Sequence, residues 1–217
     1  MFNAWSVAKP HAIEQLTAEL IGYDVDIAVI SETHLKPSKH SDSVVNIDGY
    51  ALFRRDRQGR KGGGVRRSLN AAVWSIPDLD PLLELLWVKV SRGNDVMFVG
   101  ALYHPPQPLY CTSDLIGVME STIDKLHCDN ADSHIILAGD FNTMPDNDVI
   151  IATGLTSIVL QPTRGNNQLD RIYVSDFEYS GVKVVKSAVT SDHQAIVAYS
   201  GGVKATVDRT RQSVHIP

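Results

Sequence analysis

The 217-residue chain carries 20 Lys and Arg against 25 Asp and Glu, a formal net charge of −5, with 43% hydrophobic and 21% charged residues. Such values exclude a disordered chain and a globally basic nucleic-acid binder, and the length suits one domain able to bury a core without staples. No apolar run approaches the roughly 18 to 20 residues of a membrane span, and MFNAWSVAKPHAIEQL lacks the basic start and apolar centre of a signal peptide, so a soluble, intracellular protein with no membrane partner is expected.

Along the chain, AIEQLTAELI repeats apolar residues at 13, 16, 20 and 21, the period of a helix, and DVDIAVISET follows as a short strand ending in polar residues. GYALFR is a short extended candidate. ELLWVKV and DVMFVGALY are stronger strands, and the RGND between them can close a hairpin. SDLIGVMESTIDKL, with apolar residues at 115, 116, 119, 123 and 126 behind a Ser or Asp cap, predicts a helix leading to the strand of SHIILAGDFN. QLDRIYVS, GVKVVKSAV and QAIVAYS complete the strands. Strands mixed with two helices predict an α/β domain over 1–200, and the hairpin-like neighbours favour mixed over all-parallel sheets. The residues 201–217 lose periodicity and read as a polar tail or linker. Cys111 and Cys128 show neither CxxC nor Cys/His metal spacing, which points to a reducing compartment.

Two patterns carry chemistry. RRDRQGRKGGGVRR, residues 54 to 67, sets seven Arg or Lys against one Asp. It reads either as a solvated loop or as a track for a phosphate backbone. The second pattern is a series of strands that finish or begin in polar residues. Glu32 follows IAVIS, Tyr103 ends VGALY, Asp140 and Asn142 end ILAGDFN, Asp170 opens LDRIYVS, and Ser191, Asp192 and His193 follow SAVT. Each has an ordinary explanation as a turn or surface residue. Together, carboxylates without a Cys or His cluster suit a hard cation such as Mg²⁺ better than zinc.

In order, SETH, YHPP, GDFN, LDRIYVS and SDH resemble the signature blocks of the endonuclease/exonuclease/phosphatase superfamily, and NAWSV, GGGV, LLWVKV, YHPPQ, QPTRGNNQLDRIYVS and SDHQAIVAY look most like the endonuclease domain of LINE-type (non-LTR) retrotransposons. The resemblance implies a four-layer α/β sandwich of two mixed β-sheets flanked by helices. It also implies a Mg²⁺- or Mn²⁺-dependent endonuclease that nicks one strand of DNA in the nucleus, with a reverse transcriptase domain in the parent polyprotein. By residue matching, Glu32 resembles the main metal ligand, with Asn3 and Asp192 on the metal side. Asp140 looks like the residue that orients or deprotonates the attacking water, Asn142 and Tyr103 like residues that hold the scissile phosphate, and His193 like an imidazole on a phosphate oxygen oriented by Asp170. Thr163 and Ser191 are implied phosphate contacts, and Arg54, Arg55, Arg57 and Arg60 would track the DNA.

The chain departs from this family in three places. Only Met1 and Phe2 precede Asn3, where relatives have an apolar first strand; Trp5 stands where relatives carry an acidic residue or Arg; and RRSLN follows GGGV in place of an apolar strand. Two other functions remain open from sequence: a phosphatase on inositol phosphates or phospholipids, and a non-catalytic DNA-binding remnant of a mobile element.

Overall fold

The structure, a computed structural model, describes residues 1–36, 38–55, 64–67, 70–175 and 181–199. Arg57, Arg60 and the tail 201–217 lie outside them. In chain order the elements are β1 (Phe2–Asn3), α1 (Ala12–Gly22), β2 (Ile27–Ala28), β3 (Ile30–Ser31), β4 (Tyr50–Phe53), β5 (Gly64–Arg67), β6 (Asn70–Trp74), β7 (Glu84–Arg92) and β8 (Asp95–Tyr103). They continue with α2 (Thr112–Asp129), β9 (His134–Asp140), α3 (Asp146–Thr153), β10 (Thr156–Ser157), β11 (Asp170–Val174), β12 (Gly181–Val185) and β13 (Ala195–Tyr199).

Six strands form the main sheet in the order β10-β11-β9-β8-β7-β6. Only the β8–β9 pair is parallel, because α2 carries the chain back across the sheet between them, so the sheet is mixed as expected. Gly93, at φ 61, opens the two-residue turn that joins Arg92 to Asp95 in the β7–β8 hairpin. A primed turn of this kind follows the strand twist, and only glycine adopts it without strain.

The expected second mixed sheet is instead discontinuous: β4-β5-β2 form three strands, while β1–β3 and β12–β13 form separate pairs. Backbone bonds still align the pieces. Phe2 N–H donates to Val29 O at 2.8 Å, and the Met1 amine and carbonyl bond Ile196 at 2.8 and 2.9 Å, placing β1 between β3 and β13. The short first strand is thus held from both sides. A cavity of about 310 Å³ lies alongside it, lined by Met1, Tyr23, Ile27, Val99, Ile172 and Val197 among others.

Three cores separate the layers. Leu115, Met119, Ile123 and Leu126 of α2 recur at helical spacing and pack on Trp87, Phe98, Ile135 and Leu137 of the main sheet. The opposite face of the same strands supplies Val88, Val99, Ala138, Ile172 and Val174 to a core between the sheets, where they meet Met1, Val29 and Ile196. Ala12, Leu16 and Leu20 of α1 pack on Phe2, Ile30 and Ala195. Strand alternation divides β9 between two of these cores, with Ile135 and Leu137 on the helix side and Ala138 between the sheets. At the end of β9 that alternation sends Phe141 into the α2 core. Asp140 follows the face of Ala138.

Candidate active site

Strand register assembles the site. Asp140 at the end of β9 is paired with Asp170 at the start of β11 and with Tyr103 at the end of β8, and Tyr103 is paired with Glu84 at the start of β7. Paired residues point to the same face of a sheet. A polar row, Asp170, Asp140, Tyr103 and Glu84, therefore runs across four strands at one edge of the sheet.

The second layer delivers the remaining groups. Glu32 follows β3 at φ 50, an uncommon conformation for a residue with a side chain, and its Oε1 accepts from the Tyr103 hydroxyl at 2.8 Å. Asn3 ends β1, and its Nδ2 donates to Asp140 Oδ2 at 2.9 Å. His193 places Nδ1 2.7 Å from Asp170 Oδ2. Arg171 instead turns to the far face, where it donates to Met144 O at 2.7 Å, so Asp170 pairs with the histidine and not with its chain neighbour.

GDFN is both a turn and part of the site. The Asn142 N–H donates to Asp140 Oδ1 at 3.0 Å, the bond of an Asx-type turn, and Asn142 itself sits at φ 45, a conformation asparagine tolerates. Asn142 Nδ2 then donates to His104 O at 2.9 Å, while His104 N–H donates to Asp140 O at 2.8 Å. The turn fixes the rotamers that the site uses.

Asp140 and Asp170 are 1% and 0% exposed. Burial, then the neighbouring Asp170, pushes the Asp140 carboxyl up from 3.8 to about 7, with Glu32 adding in the same direction and His193 and the Asn142 N–H opposing. For His193, burial lowers the pKa, but the hydrogen bond and charge of Asp170, with Asp140 and Asp192, outweigh it and raise the imidazole above its ordinary value. The histidine is thus favoured as imidazolium, with Nδ1–H on Asp170 and Nε2–H left for another acceptor.

The other expected residues surround this row. Asp192 is 49% exposed and held by Arg164 at 2.5 Å, with its other oxygen 3.9 Å from His193 Nε2. Thr163 is fully buried, and its Oγ1 accepts the backbone N–H groups of Leu169 and Asp170 at 3.1 and 3.0 Å, so it supports Asp170. Ser191 Oγ accepts the His193 N–H at 3.1 Å and shapes the loop. Arg54 is committed to Asp42 Oδ1 at 2.8 Å and His40 O at 3.1 Å, and Arg55 lies beside Glu84 in a small cavity that Glu32 and Tyr103 also line. Sequence reasoning missed Glu84 and His104. The only signal for Glu84 was its place at the head of ELLWVKV, matching that of Asp170 at the head of DRIYV, and His104 contributes backbone atoms.

The ligand-capable atoms of Asp140, Asp170 and His193 all lie within 4.8 Å of one another, a group that differs from the expected set of Glu32, Asn3 and Asp192; with the imidazole protonated, the carboxylates of Asp140 and Asp170 are its donors to a metal ion. Hard oxygen donors dominate. Asp170 Oδ1 is buried without a hydrogen-bond partner among the described residues, and the raised Asp140 carboxyl reflects negative charges crowded out of water. Both features fit a nearby cation.

A buried carboxylate pair and an oriented imidazole at the strand ends of an α/β sandwich make a site suited to hydrolysis at a phosphate. The chain belongs to the Endonuclease/Exonuclease/phosphatase family, whose model matches residues 1–193. Among solved structures it is similar to the endonuclease domain of TRAS1, a telomere-specific non-LTR retrotransposon, at 16% identity over 90% of this chain and 95% of that one, with a TM-score of 0.65. An AP endonuclease from Leishmania major is similar at 13% identity, covering 90% of this chain and 84% of that one, with a TM-score of 0.71. The 3' phosphatase NExo from Neisseria, bound to a product DNA hairpin, shares 15% identity over 92% of this chain and 97% of that one, with a TM-score of 0.70. Identities at this level speak for the DNase I-like fold. No curated protein matches the chain significantly. No helix among the described residues is long and apolar enough to cross a membrane.

Proposed function

We propose that the protein is a Mg²⁺- or Mn²⁺-dependent DNA endonuclease that nicks one strand by hydrolysing a phosphodiester. The observation that carries this reading is the register-locked row of Asp170 and Asp140, with His193 bonded to the first and Asn3 and Asn142 to the second. Cleavage needs a positioned water, neutralised non-bridging oxygens and a stabilised leaving group.

Asp140, with a pKa near neutrality, is matched to orienting a water and accepting its proton. His193, held as imidazolium by Asp170, can donate Nε2–H to a phosphate oxygen, and Asn142, bonded to Asp140, and Tyr103, paired with Asp140 in the sheet, would steady the same group. Glu32, with Asn3 and Asp192, would hold the divalent ion beside the Asp140–Asp170 pair, and the ion would supply charge neutralisation at the phosphate.

The TRAS1 similarity supports an origin in a LINE-type element, with nuclear work on chromosomal DNA beside a reverse transcriptase domain. The intact set of carboxylates, amides and imidazole argues for catalysis over a remnant that only binds DNA. Incubation of supercoiled plasmid with the protein tests the reading: nicked circles should appear with Mg²⁺ or Mn²⁺ and disappear with EDTA. Undiminished nicking in EDTA would remove the metal from the reaction, and release of phosphate from inositol polyphosphate without plasmid nicking would replace the nuclease with a phosphatase.

A further inference from the structure

Trp5 has no part in the chemistry described above, yet the fold holds it firmly on the rim of the site. It is 53% exposed although Asn3, Ala4 and Val7 around it are buried. Its backbone sits at φ 36, a position that a bulky residue occupies only when its surroundings enforce it. Those surroundings are a ladder of bonds along the Glu32 loop: Ala4 N–H donates to Ser31 O, Ser6 N–H to Glu32 O at 2.7 Å, and Val7 N–H to Thr33 O. The Trp5 N–H itself donates at 3.1 Å to Oδ1 of Asn3, whose amide bonds Asp140.

The indole is tied to the other wall of the site as well. Lys9 Nζ lies over the ring, 4.9 Å from its centroid, and donates at 2.7 Å to Thr190 O, three residues before His193. Lys9 therefore links the indole, beside the Glu32 loop, to the 190–193 loop, the two segments that bring Glu32 and His193 to the site. An exposed aromatic next to a phosphodiester site offers a π-face on which any base can stack. The lysine ammonium adds a cation near the phosphate that follows such a base.

We propose that Trp5, backed by Lys9, is a stacking subsite for an unpaired or extruded nucleobase next to the scissile phosphate. This rests on the nuclease reading and gives that site a substrate preference: a strand with a free base at this position over one without it. Stacking tolerates all four bases, so the subsite would select unpaired structure with little regard to sequence.

Tryptophan fluorescence tests it directly, because Trp87 is buried and Trp74 packs against the α2 core, leaving Trp5 as the exposed indole among the described residues. In EDTA, a single-stranded oligonucleotide should quench the emission of the full chain, and the same strand carrying a run of abasic residues should quench it much less. Trp5→Ala should abolish the quench and weaken binding of the intact strand by roughly ten-fold, the scale of one base–aromatic stack. Trp5→Phe should restore most of the affinity, and Trp5→Leu, with bulk but no π-face, should not. The loss in cleavage should fall on KM more than on kcat, and the salt dependence of binding should keep its slope, since stacking releases no counterions. Equal quenching by intact and abasic strands, or full affinity in Trp5→Ala, overturns the subsite while plasmid nicking persists. A parent protein that neither binds nor cuts DNA overturns the nuclease reading with it.

Discussion

Asp170 reaches both neighbours of the reaction, His193 by a 2.7 Å bond and Asp140 by strand register, so its loss is felt through each. Asp170→Asn and His193→Ala should each lower kcat by roughly 10² to 10⁴-fold. Because the two act as one unit, the double variant should be little worse than either single one; multiplicative losses in that cycle would separate them. Asp140 makes a second prediction. Its folded carboxyl is raised from 3.8 to about 7, so the metal-free folded protein binds a proton there that the unfolded chain has released. The stability present below pH 3.8 is therefore lost as pH rises towards about 7. His193, also raised, acts with the same sign, its stabilisation fading as pH climbs above its ordinary value. Thermal melts in EDTA should show a midpoint that falls over this range, and Asp140→Asn should flatten the fall. Divalent ions should stabilise most at the upper end, where the carboxylates are ionised. A midpoint independent of pH in the parent would contradict the crowding of charge at this site.

At the scale of elements, the close approach of β9 to β8 is what sets Asp140 beside Tyr103. A Cβ built on Gly139 would lie 1.9 Å from the Leu102 carbonyl oxygen, a backbone atom that cannot move aside without parting the strands. Gly139→Ala should therefore cost roughly 1 to 3 kcal/mol or more and depress kcat beyond what its melting point explains. Gly117 in α2 meets nothing within 4 Å, and Gly117→Ala should stabilise by about 0.5 to 1 kcal/mol with activity kept. A Gly139→Ala enzyme with parental kcat would show that the register tolerates displacement. Strands and helices that bury a regular stripe were legible in the sequence: α1, β7, β8, α2, β9 and β11 all fall where their apolar period places them. The helix α3 was not, because Val149, Ile150 and Ile151 are contiguous and Ile151 is left 81% exposed, so no period of 3.6 emerges. Asp140, Asn142 and His193 were visible as polar strand ends, and the motif resemblance marked them. That Asp140 faces Asp170 and Tyr103, or that Glu84 joins their row, depends on long-range register, which no local pattern encodes.

For the molecule as a whole, a net charge of −5 makes the proposed approach to DNA dependent on where cations concentrate, and RRDRQGRKGGGVRR is the densest such stretch. Its arginines do not all start from the same position. Arg54 already commits its guanidinium to Asp42 and the His40 carbonyl, so a phosphate would have to displace an existing ion pair. Arg55 is half-buried near Glu84, within the row of acidic strand ends, and there it neutralises the protein's own charge. A phosphate track along this stretch therefore rests on the cations that follow, Arg57 and Arg60 among them. Each phosphate that the protein ceases to neutralise on duplex DNA should flatten the log–log salt dependence of binding by roughly 0.9. On an Asp140→Asn background that cannot cut, Arg57→Gln with Arg60→Gln should therefore lower the slope by clearly more than Arg54→Gln does. Sequence preference should be unchanged in both, because phosphate contacts position a protein without specifying bases. Identical slopes for the parent and the Arg57/Arg60 variant would show that these side chains do not touch the backbone. A comparable flattening in Arg54→Gln alone would show that binding trades Asp42 for a phosphate, making that ion pair a contact held in reserve for DNA.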